Sequence, residues 1–370
     1  MKTPITPKNG FALFFLLFFG FNSIFAQESG RQLQPVSSTT WNGSSWSNGL
    51  PNAQTKAIFA ADFVSEQTLV AESIEVAPYA KVIFESGNNL IVTNDINVSP
   101  SGNLTFKANA NLSQKNPNVV NSTLLTLTRE TPPITKFDYV YWSSPVFGQN
   151  IGAVSPTTLF DKYLQYSPSL GWESVPPATT AMAVGKGYAI RGPQEYVVLD
   201  THIATFNGPA NNGNITTPIE VGSNLIGNPY PDALSADCFI LDPDNQSVTA
   251  GFMKFWTHNI PLNWSGGQVG AGSATYNSND FNVYNLLGGV GTGAFLNPDN
   301  SVTINRPKGY VASGQGFIID GVNNGAASFK NTMRSSDPND DLQFFRTSGH
   351  GGNTTASVAS TECPTTRHRI

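Results

Sequence analysis

The sequence predicts an all-β protein, with a short β-solenoid-like N-terminal region followed by a two-unit β-sandwich-like region. Three observations lead to this prediction. Only 12% of the residues are charged, about half of the ~25% that is usual in soluble domains. Glycine and proline, with 34 and 25 residues, separate many short apolar runs, which is typical of short strands joined by turns. Two internal repeats built of such runs follow one another along the chain.

The first 26 residues predict a secretory signal peptide. Two lysines precede an apolar run over residues 11–21, and Ala26 ends a small-residue cleavage site before Gln27. The run is shorter than the ~20 residues that a spanning helix needs, which favours a cleaved signal over an uncleaved anchor helix. We therefore expect a secreted or cell-surface protein with no membrane span after signal removal. If export does not continue across the outer membrane, we expect the protein in the periplasm.

Removal of the signal takes Lys2 and Lys8 from the 20 cationic residues, which leaves 18 against 25 acidic ones and changes the net charge from −5 to −7. A mildly acidic chain without a basic run lacks a surface suited to nucleic-acid phosphates. We expect no nucleic-acid partner.

The chain contains two cysteines, Cys238 and Cys363. Cys238 lies in the apolar segment DCFI, which is typical of a buried thiol, and we expect it to be unpaired. A disulfide between the two cysteines is the alternative in an oxidising compartment.

The first repeat has a period of 22 and covers residues 74–90 and 96–112. Each copy reads as a short apolar strand, a proline turn, a second strand and an asparagine-rich corner. A strand-based period near twenty predicts stacked β-solenoid turns, with a small β-meander as the alternative. Six pairs of identical residues match between the copies: Ile74/Ile96, Val76/Val98, Pro78/Pro100, Phe84/Phe106, Asn89/Asn111 and Leu90/Leu112.

The second repeat is longer and covers residues 137–209 and 225–332. Its most similar segments are AVGKGYAIRG (183–192) and ASGQGFIIDG (312–321). The pattern predicts two related β units in which Gly187 and Gly316 occupy equivalent places.

The paired glycines of these segments could also belong to a phosphate-binding loop, but the other required residues are missing. A Walker loop needs a glycine at the position of Thr180, and a dinucleotide loop needs a third glycine where the two copies have Ile190 and Ile319. We therefore expect turns that enter strands, in which glycine supplies a positive φ or a close backbone approach. No cofactor is expected.

Seven segments, taken in order together with the solenoid repeat, resemble a family of Bacteroidota secreted or cell-surface β-repeat proteins, large proteins exported by the type IX secretion system. The resemblance covers about residues 38–346 and implies a surface protein of uncertain activity, often suspected of adhesion, with no catalytic residues to carry over. The segments are WNGSSWSNGLP (41–51), FDYVYWSSPV (137–146), AVGKGYAIRGP (183–193), NLIGNPYPDALSADCFI (224–240), FWTHN (255–259), GVGTG (289–293) and VASGQGFII (311–319).

The C-terminal segment departs from this family pattern. After residue 346 the resemblance implies another β domain and a C-terminal sorting domain, and the chain instead has a polar segment that predicts a disordered tail. We therefore expect a truncated chain with four parts. They are a signal peptide (1–26), β-solenoid-like turns (27–130), a duplicated β-sandwich-like region (131–346) and a disordered tail (347–370).

No catalytic or metal-binding motif is present in the sequence. The four histidines lack metal-ligand spacing, and no serine lies in a Gly-x-Ser-x-Gly elbow. Two carboxylates could still form a glycosidase site, and acidic turns could hold calcium, although turn residues explain both sets. The candidate carboxylates are Glu173, Glu195, Asp161 and Asp280, and the acidic turns are LDPDNQ (241–246), NPDN (297–300) and SDPNDD (336–341).

The tryptophans are the sharpest functional candidates, because exposed aromatic rings can stack on sugars. Trp142 and Trp256 lie in alternating apolar stretches and are expected in the core. Trp172 and Trp264 follow proline-containing turns at matching points of the second repeat, so they are the candidate glycan-binding residues, with strand-end packing as the alternative.

Together these observations favour a non-enzymatic structural or adhesion module with a surface glycan or cell-envelope partner. A glycan-binding accessory module is the second reading, and a carbohydrate-active enzyme is the third.

Overall fold

The computed structural model describes residues 37–257, 280–290, 295–296, 302–303, 307–337 and 340–341. The fold is all-β, with 44% strand and 7% helix, which confirms the predicted class. The predicted signal peptide and tail lie outside the described residues. Among the described helices, none combines the length and the apolar character that crossing a membrane requires.

Residues 37–127 form a β-solenoid of about four turns. Its strands form three parallel sheets, with the orders β1-β2-β5-β8, β4-β7-β10 and β3-β6-β9-β11. The strands are β1 (Ser37–Trp41), β2 (Thr55–Phe59), β3 (Phe63–Val64), β4 (Leu69–Ala71), β5 (Ile74–Val76), β6 (Lys81–Phe84), β7 (Leu90–Val92), β8 (Ile96–Val98), β9 (Asn103–Phe106), β10 (Leu112–Gln114) and β11 (Leu125–Glu130).

The 22-residue repeat defines the register of this solenoid. Ile74 pairs with Ile96, and Phe84 pairs with Phe106 in the neighbouring turn, where the two rings stack with centroids 5.1 Å apart. The buried amide of Asn89 accepts a hydrogen bond from the backbone N–H of Asn111. Because matched residues face each other across turns, stacked solenoid turns are confirmed and the small meander is wrong.

The duplicated region follows the solenoid. Its strands are β12 (Tyr139–Trp142), β13 (Tyr163–Ser167), β14 (Gly171–Ser174), β15 (Tyr188–Arg191), β16 (Ile203–Gly208), β17 (Ile215–Ile219), β18 (Gly222–Gly227), β19 (Ala233–Ser235), β20 (Phe252–Trp256), β21 (Phe281–Asn285), β22 (Gly288–Val290), β23 (Phe295–Leu296), β24 (Val302–Thr303), β25 (Tyr310–Val311), β26 (Gly316–Gly321), β27 (Gly325–Phe329) and β28 (Arg334–Ser335).

The two predicted units share one topology. The first contains a sheet of order β12-β15-β13-β14, and the second a sheet of order β18-β26-β20-β21 with β22 added at its edge. Each unit also has an antiparallel pair outside that sheet, β11 with β16 and β17 with β27, and the second unit has two further small sheets, β25-β19-β28 and β23-β24. Because β11 is also the last solenoid strand, the solenoid and the first unit share a sheet.

Two short helices lie between β19 and β20, α1 (Ala236–Leu241) and α2 (Pro243–Gln246). The side chain of Ser235 caps α1 by accepting a hydrogen bond from the backbone N–H of Cys238. With six residues, α1 is the longer of the two.

The prediction that Cys238 is a buried free thiol was wrong, because Cys238 is disulfide-bonded. The chain has only one other cysteine, Cys363, which lies outside the described residues. The apolar context of Cys238 predicted its burial correctly, since 4% of the residue is exposed, but gave no information about its partner.

Candidate functional site

The paired glycines of the second repeat join the two β units to each other. Ser143, at the end of β12, donates its backbone N–H to the carbonyl of Gly314 at 2.7 Å. Gly227, at the equivalent end of β18, donates in the same way to Gly185 at 3.0 Å. The ends of β12 and β18 are therefore each bonded to the glycine turn of the other unit. The same exchange pairs Lys186 with Ile226 and Gln315 with Trp142.

Both predicted roles of glycine occur in these turns. Gly185 and Gly314 have φ angles of +78° and +71°, which disfavour other residues. A Cβ atom on Gly187 would lie 2.6 Å from the carbonyl oxygen of Ile226, and one on Gly316 would lie 3.0 Å from the carbonyl carbon of Tyr141. The turns enter β15 and β26, as the sequence predicted, and they also form backbone contacts between the units, which it did not predict.

The sheets of the two units meet on a group of aromatic side chains, which we call the aromatic cluster: Tyr141, Tyr166, Trp172, Trp256 and Phe281. In the first unit, Trp172 pairs across strands with Tyr166, and their ring centroids are 5.0 Å apart. In the second unit, Trp256 pairs with Phe281 at the same distance. Tyr141 lies between the pairs, 5.9 Å from Trp172 and 5.7 Å from Trp256.

Burial separates the cluster into a centre and a rim. Tyr141 and Trp256 are 4% and 7% exposed, whereas Tyr166, Trp172 and Phe281 are only half-buried. Burial raises the pKa of the Tyr141 hydroxyl well above its usual range, so this group stays protonated. Only the rim can contact a ligand.

The two predicted glycan-binding residues have different outcomes. Trp172 is on the rim, half-buried, and within the described residues no hydrogen bond uses its indole N–H. Trp264 lies outside the described residues. The register between β20 and β21 places Phe281 at the position that matches Trp172, so the alignment of Trp172 with Trp264 was wrong. The segment between β20 and β21 is longer than its counterpart, and the sequence comparison did not account for this insertion.

The predicted core residues Trp142 and Trp256 are buried, which confirms the alternation argument. In β20, with the sequence FMKFW, Trp256 lies on the same face as Lys254 and opposite Met253 and Phe255. This position could have identified Trp256 as an interface residue. Tyr141, Tyr166 and Phe281 were missed, because their importance depends on the packing of two sheets that are distant in sequence.

A second group of polar side chains fixes the second unit on the last solenoid turn. Arg334 donates from Nε to both carboxylate oxygens of Asp232, at 2.8 and 3.0 Å, and from an Nη atom to the carbonyl of Leu112. Both members of the ion pair are almost fully buried. Burial raises the pKa of Asp232 to about 6, although Arg334 acts in the opposite direction.

A second buried ion pair lies nearby. A guanidinium nitrogen of Arg129, on β11, is 3.5 Å from a carboxylate oxygen of Asp341, and another donates to the carbonyl of Ala110. The other carboxylate oxygen of Asp341 accepts a hydrogen bond from the backbone N–H of Ser313. Burial raises the pKa of Asp341. These charged residues connect parts of the chain that are distant in sequence.

The candidate carboxylates have separate partners. Glu173 accepts a hydrogen bond from Gln165, Glu195 accepts one from Thr157, and Asp161 forms an ion pair with Lys162. The side chain of Lys162 holds the pKa of Asp161 below its usual value. Asp280 is 1% exposed, and its backbone carbonyl accepts a hydrogen bond from Thr257.

The acidic turns show no metal-like grouping where they are described. In the turn at 241–246, Asp242 and Asp244 both bind the ammonium of Lys330. Across the described ranges, no three His, Cys, Asp or Glu side chains are grouped as metal ligands would be. The turn at 297–300 lies outside those ranges.

The fold and the site together define a β-solenoid protein with an attached pair of β units, joined by glycine turns and an aromatic interface. The chain belongs to the family described as a domain of unknown function (DUF8693), whose model matches residues 34–370. Neither a curated protein nor a solved structure matches the chain.

Proposed function

We propose that the protein is a non-enzymatic structural or adhesion module, secreted or held at the cell surface and similar to type IX secretion substrates. The observation that carries this proposal is that its glycine turns and buried charged residues hold parts of the chain together. The glycine turns bond one unit to the other, and the buried ion pairs attach the units to the solenoid.

A rigid body suits a surface module, because it presents the same faces to a partner without paying ordering entropy on binding. The predicted signal peptide supports placement outside the cytoplasm. The partner in this proposal is a surface glycan or another component of the cell envelope.

The test uses beads coated with the mature chain from Gln27. We expect these beads to be retained on bacterial cell envelopes, and we expect beads coated with the heat-unfolded chain to wash off. The same preparation should release no reducing sugar from envelope polysaccharides. Sugar release that follows saturation kinetics would contradict the non-enzymatic proposal, and equal retention of both bead types would contradict specific adhesion.

A glycan-binding accessory module is the second candidate, and the half-exposed rim of the aromatic cluster supports it. Substitution Trp172→Ala removes the rim ring, and Leu170→Ala is the matched control because Leu170 is an exposed residue of the same hairpin. On a glycan array we expect a signal that W172A reduces about tenfold, since stacking contributes about 1–3 kcal/mol, and that L170A preserves. An array with no signal for the native chain excludes this candidate.

A further inference from the structure

A cavity lies where the last solenoid turn meets the second unit. Its volume is about 480 Å³. One wall comes from Lys115 and Pro117, directly after β10, and another from residues 330–334, between β27 and β28. Asn214, directly before β17, completes the lining. The cavity is remote in sequence from both members of the Tyr166–Trp172 pair.

Among the described residues, the lining contains three cationic side chains and no carboxylate: Lys115, Lys330 and Arg334. Two of these cations already have acidic partners outside the lining. Lys330 binds Asp242 and Asp244, and Arg334 binds Asp232. These two side chains are therefore held in fixed positions.

Lys115 differs from the other two cations. Its ammonium contacts the hydroxyl of Ser113 at 3.2 Å, and within the described part of the chain no carboxylate lies within ion-pair distance of it. The residue as a whole is exposed, yet burial of its ammonium lowers its pKa, and nearby Arg334 lowers it further, while Asp232 acts in the opposite direction. An anion bound beside Lys115 would relieve this cost, because an opposite charge favours the protonated form.

The remaining lining residues suit a sugar better than a bare ion. Asn214 and Thr332 are exposed, and neither side chain hydrogen-bonds to another described residue, so both can bind hydroxyl groups. Pro117 offers an apolar surface to the C–H face of a ring. A volume of this size falls in the usual range for small-ligand sites, about 300–1,000 Å³.

We propose that this cavity binds an acidic sugar of the uronate class, with the carboxylate on the ammonium of Lys115 and the hydroxyls on Asn214 and Thr332. This site goes beyond the proposed structural or adhesive role and is separate from the aromatic cluster. It would give the module a preference for acidic over neutral glycans.

The experiment measures binding of three probes to the mature chain by calorimetry at low ionic strength: glucuronate, glucose and inorganic sulfate. Lys115→Gln removes the charge from an exposed residue, and Lys107→Gln is the matched control on an exposed site of the solenoid. We expect glucuronate to bind and glucose not to bind. The K115Q variant should weaken glucuronate binding about tenfold or more, as expected for loss of a charge-assisted hydrogen bond, and K107Q should leave it unchanged.

Each other outcome overturns the proposal. Absence of glucuronate binding, or binding that K115Q does not change, excludes Lys115 as the anion ligand. Sulfate binding as tight as glucuronate binding assigns the site to a free oxyanion and excludes the sugar. Because W172A leaves Lys115 in place, failure at this cavity is distinguishable from failure at the aromatic rim.

Discussion

The solenoid and the duplicated region use different contacts to hold neighbouring elements together. In the solenoid, identical residues of successive turns face each other, as the stacked rings of Phe84 and Phe106 and the hydrogen-bonded pair Asn89 and Asn111 show. In the duplicated region, the units meet through backbone hydrogen bonds of glycine turns, and buried ion pairs attach them to the solenoid. Equal spacing aligns neighbouring solenoid turns, whereas the elements that are distant in sequence meet through contacts that no local repeat specifies.

The largest expected effect comes from breaking the buried ion pair at the junction. Arg334→Met would leave the carboxylate of Asp232 buried without its partner, and we expect a loss of about 3–5 kcal/mol of unfolding free energy at pH 7.5. Guanidinium denaturation followed by tryptophan fluorescence measures it. The control is Lys254→Met, which breaks a partly exposed pair with Asp320 and should cost at most about 1 kcal/mol. Equal losses for both variants would show that the junction does not depend on buried charge.

An intermediate effect is expected at the contact between the units. Gly187→Ala would place a Cβ atom 2.6 Å from a backbone carbonyl oxygen, and overpacking of this kind costs about 1–3 kcal/mol. Gly171→Ala is the control, since it has a positive φ but no neighbouring atom within 4 Å. Thermal unfolding of both variants separates steric exclusion from conformational strain. A melting temperature for G187A equal to that of the native chain would contradict the prediction that the close backbone approach at position 187 requires glycine.

The smallest expected effect is the dependence of stability on pH. The folded pKa of Asp232, about 6, is raised above the usual 3.8, so the folded state binds this proton more tightly than the unfolded state does. This group therefore contributes stability as the pH falls through about 6, and the contribution is complete below about 4. Between pH 7 and pH 5 we expect a gain of about 1 kcal/mol from this residue.

Denaturation at the two pH values measures that gain, and the R334M variant sharpens the test. Without the guanidinium the pKa of Asp232 should rise further, so R334M should recover more stability at low pH than the native chain. A stability that falls steadily between pH 7 and pH 5 in both proteins would contradict this assignment.

The sequence predicted the repeated parts of this fold better than the contacts between them. The period of 22 predicted the pairing of Ile74 with Ile96, because register follows directly from equal spacing. The match between the two glycine turns predicted the equivalence of Gly187 and Gly316 for the same reason. In a repeat, the equal spacing of residues is enough to predict which residues occupy equivalent positions.

Contacts between distant segments left no comparable pattern. Nothing near Arg129 or Asp341 in the sequence indicates their pairing, because the approach depends on the packing of the whole duplicated region. The same holds for the disulfide of Cys238 and for the place of Phe281 in the aromatic cluster. Local composition predicted the burial of Cys238, and in none of these cases did it indicate the partner.

The pairing of Arg129 with Asp341 has a mechanical consequence. The chain leaves the solenoid just after Arg129, and Asp341 returns to within 3.5 Å of that point after both units have been traversed. Both units thus form a loop closed at a narrow neck. A pulling force applied at residues 37 and 341 would pass through the solenoid and this ion pair, and the two units would carry the force only after the ion pair breaks.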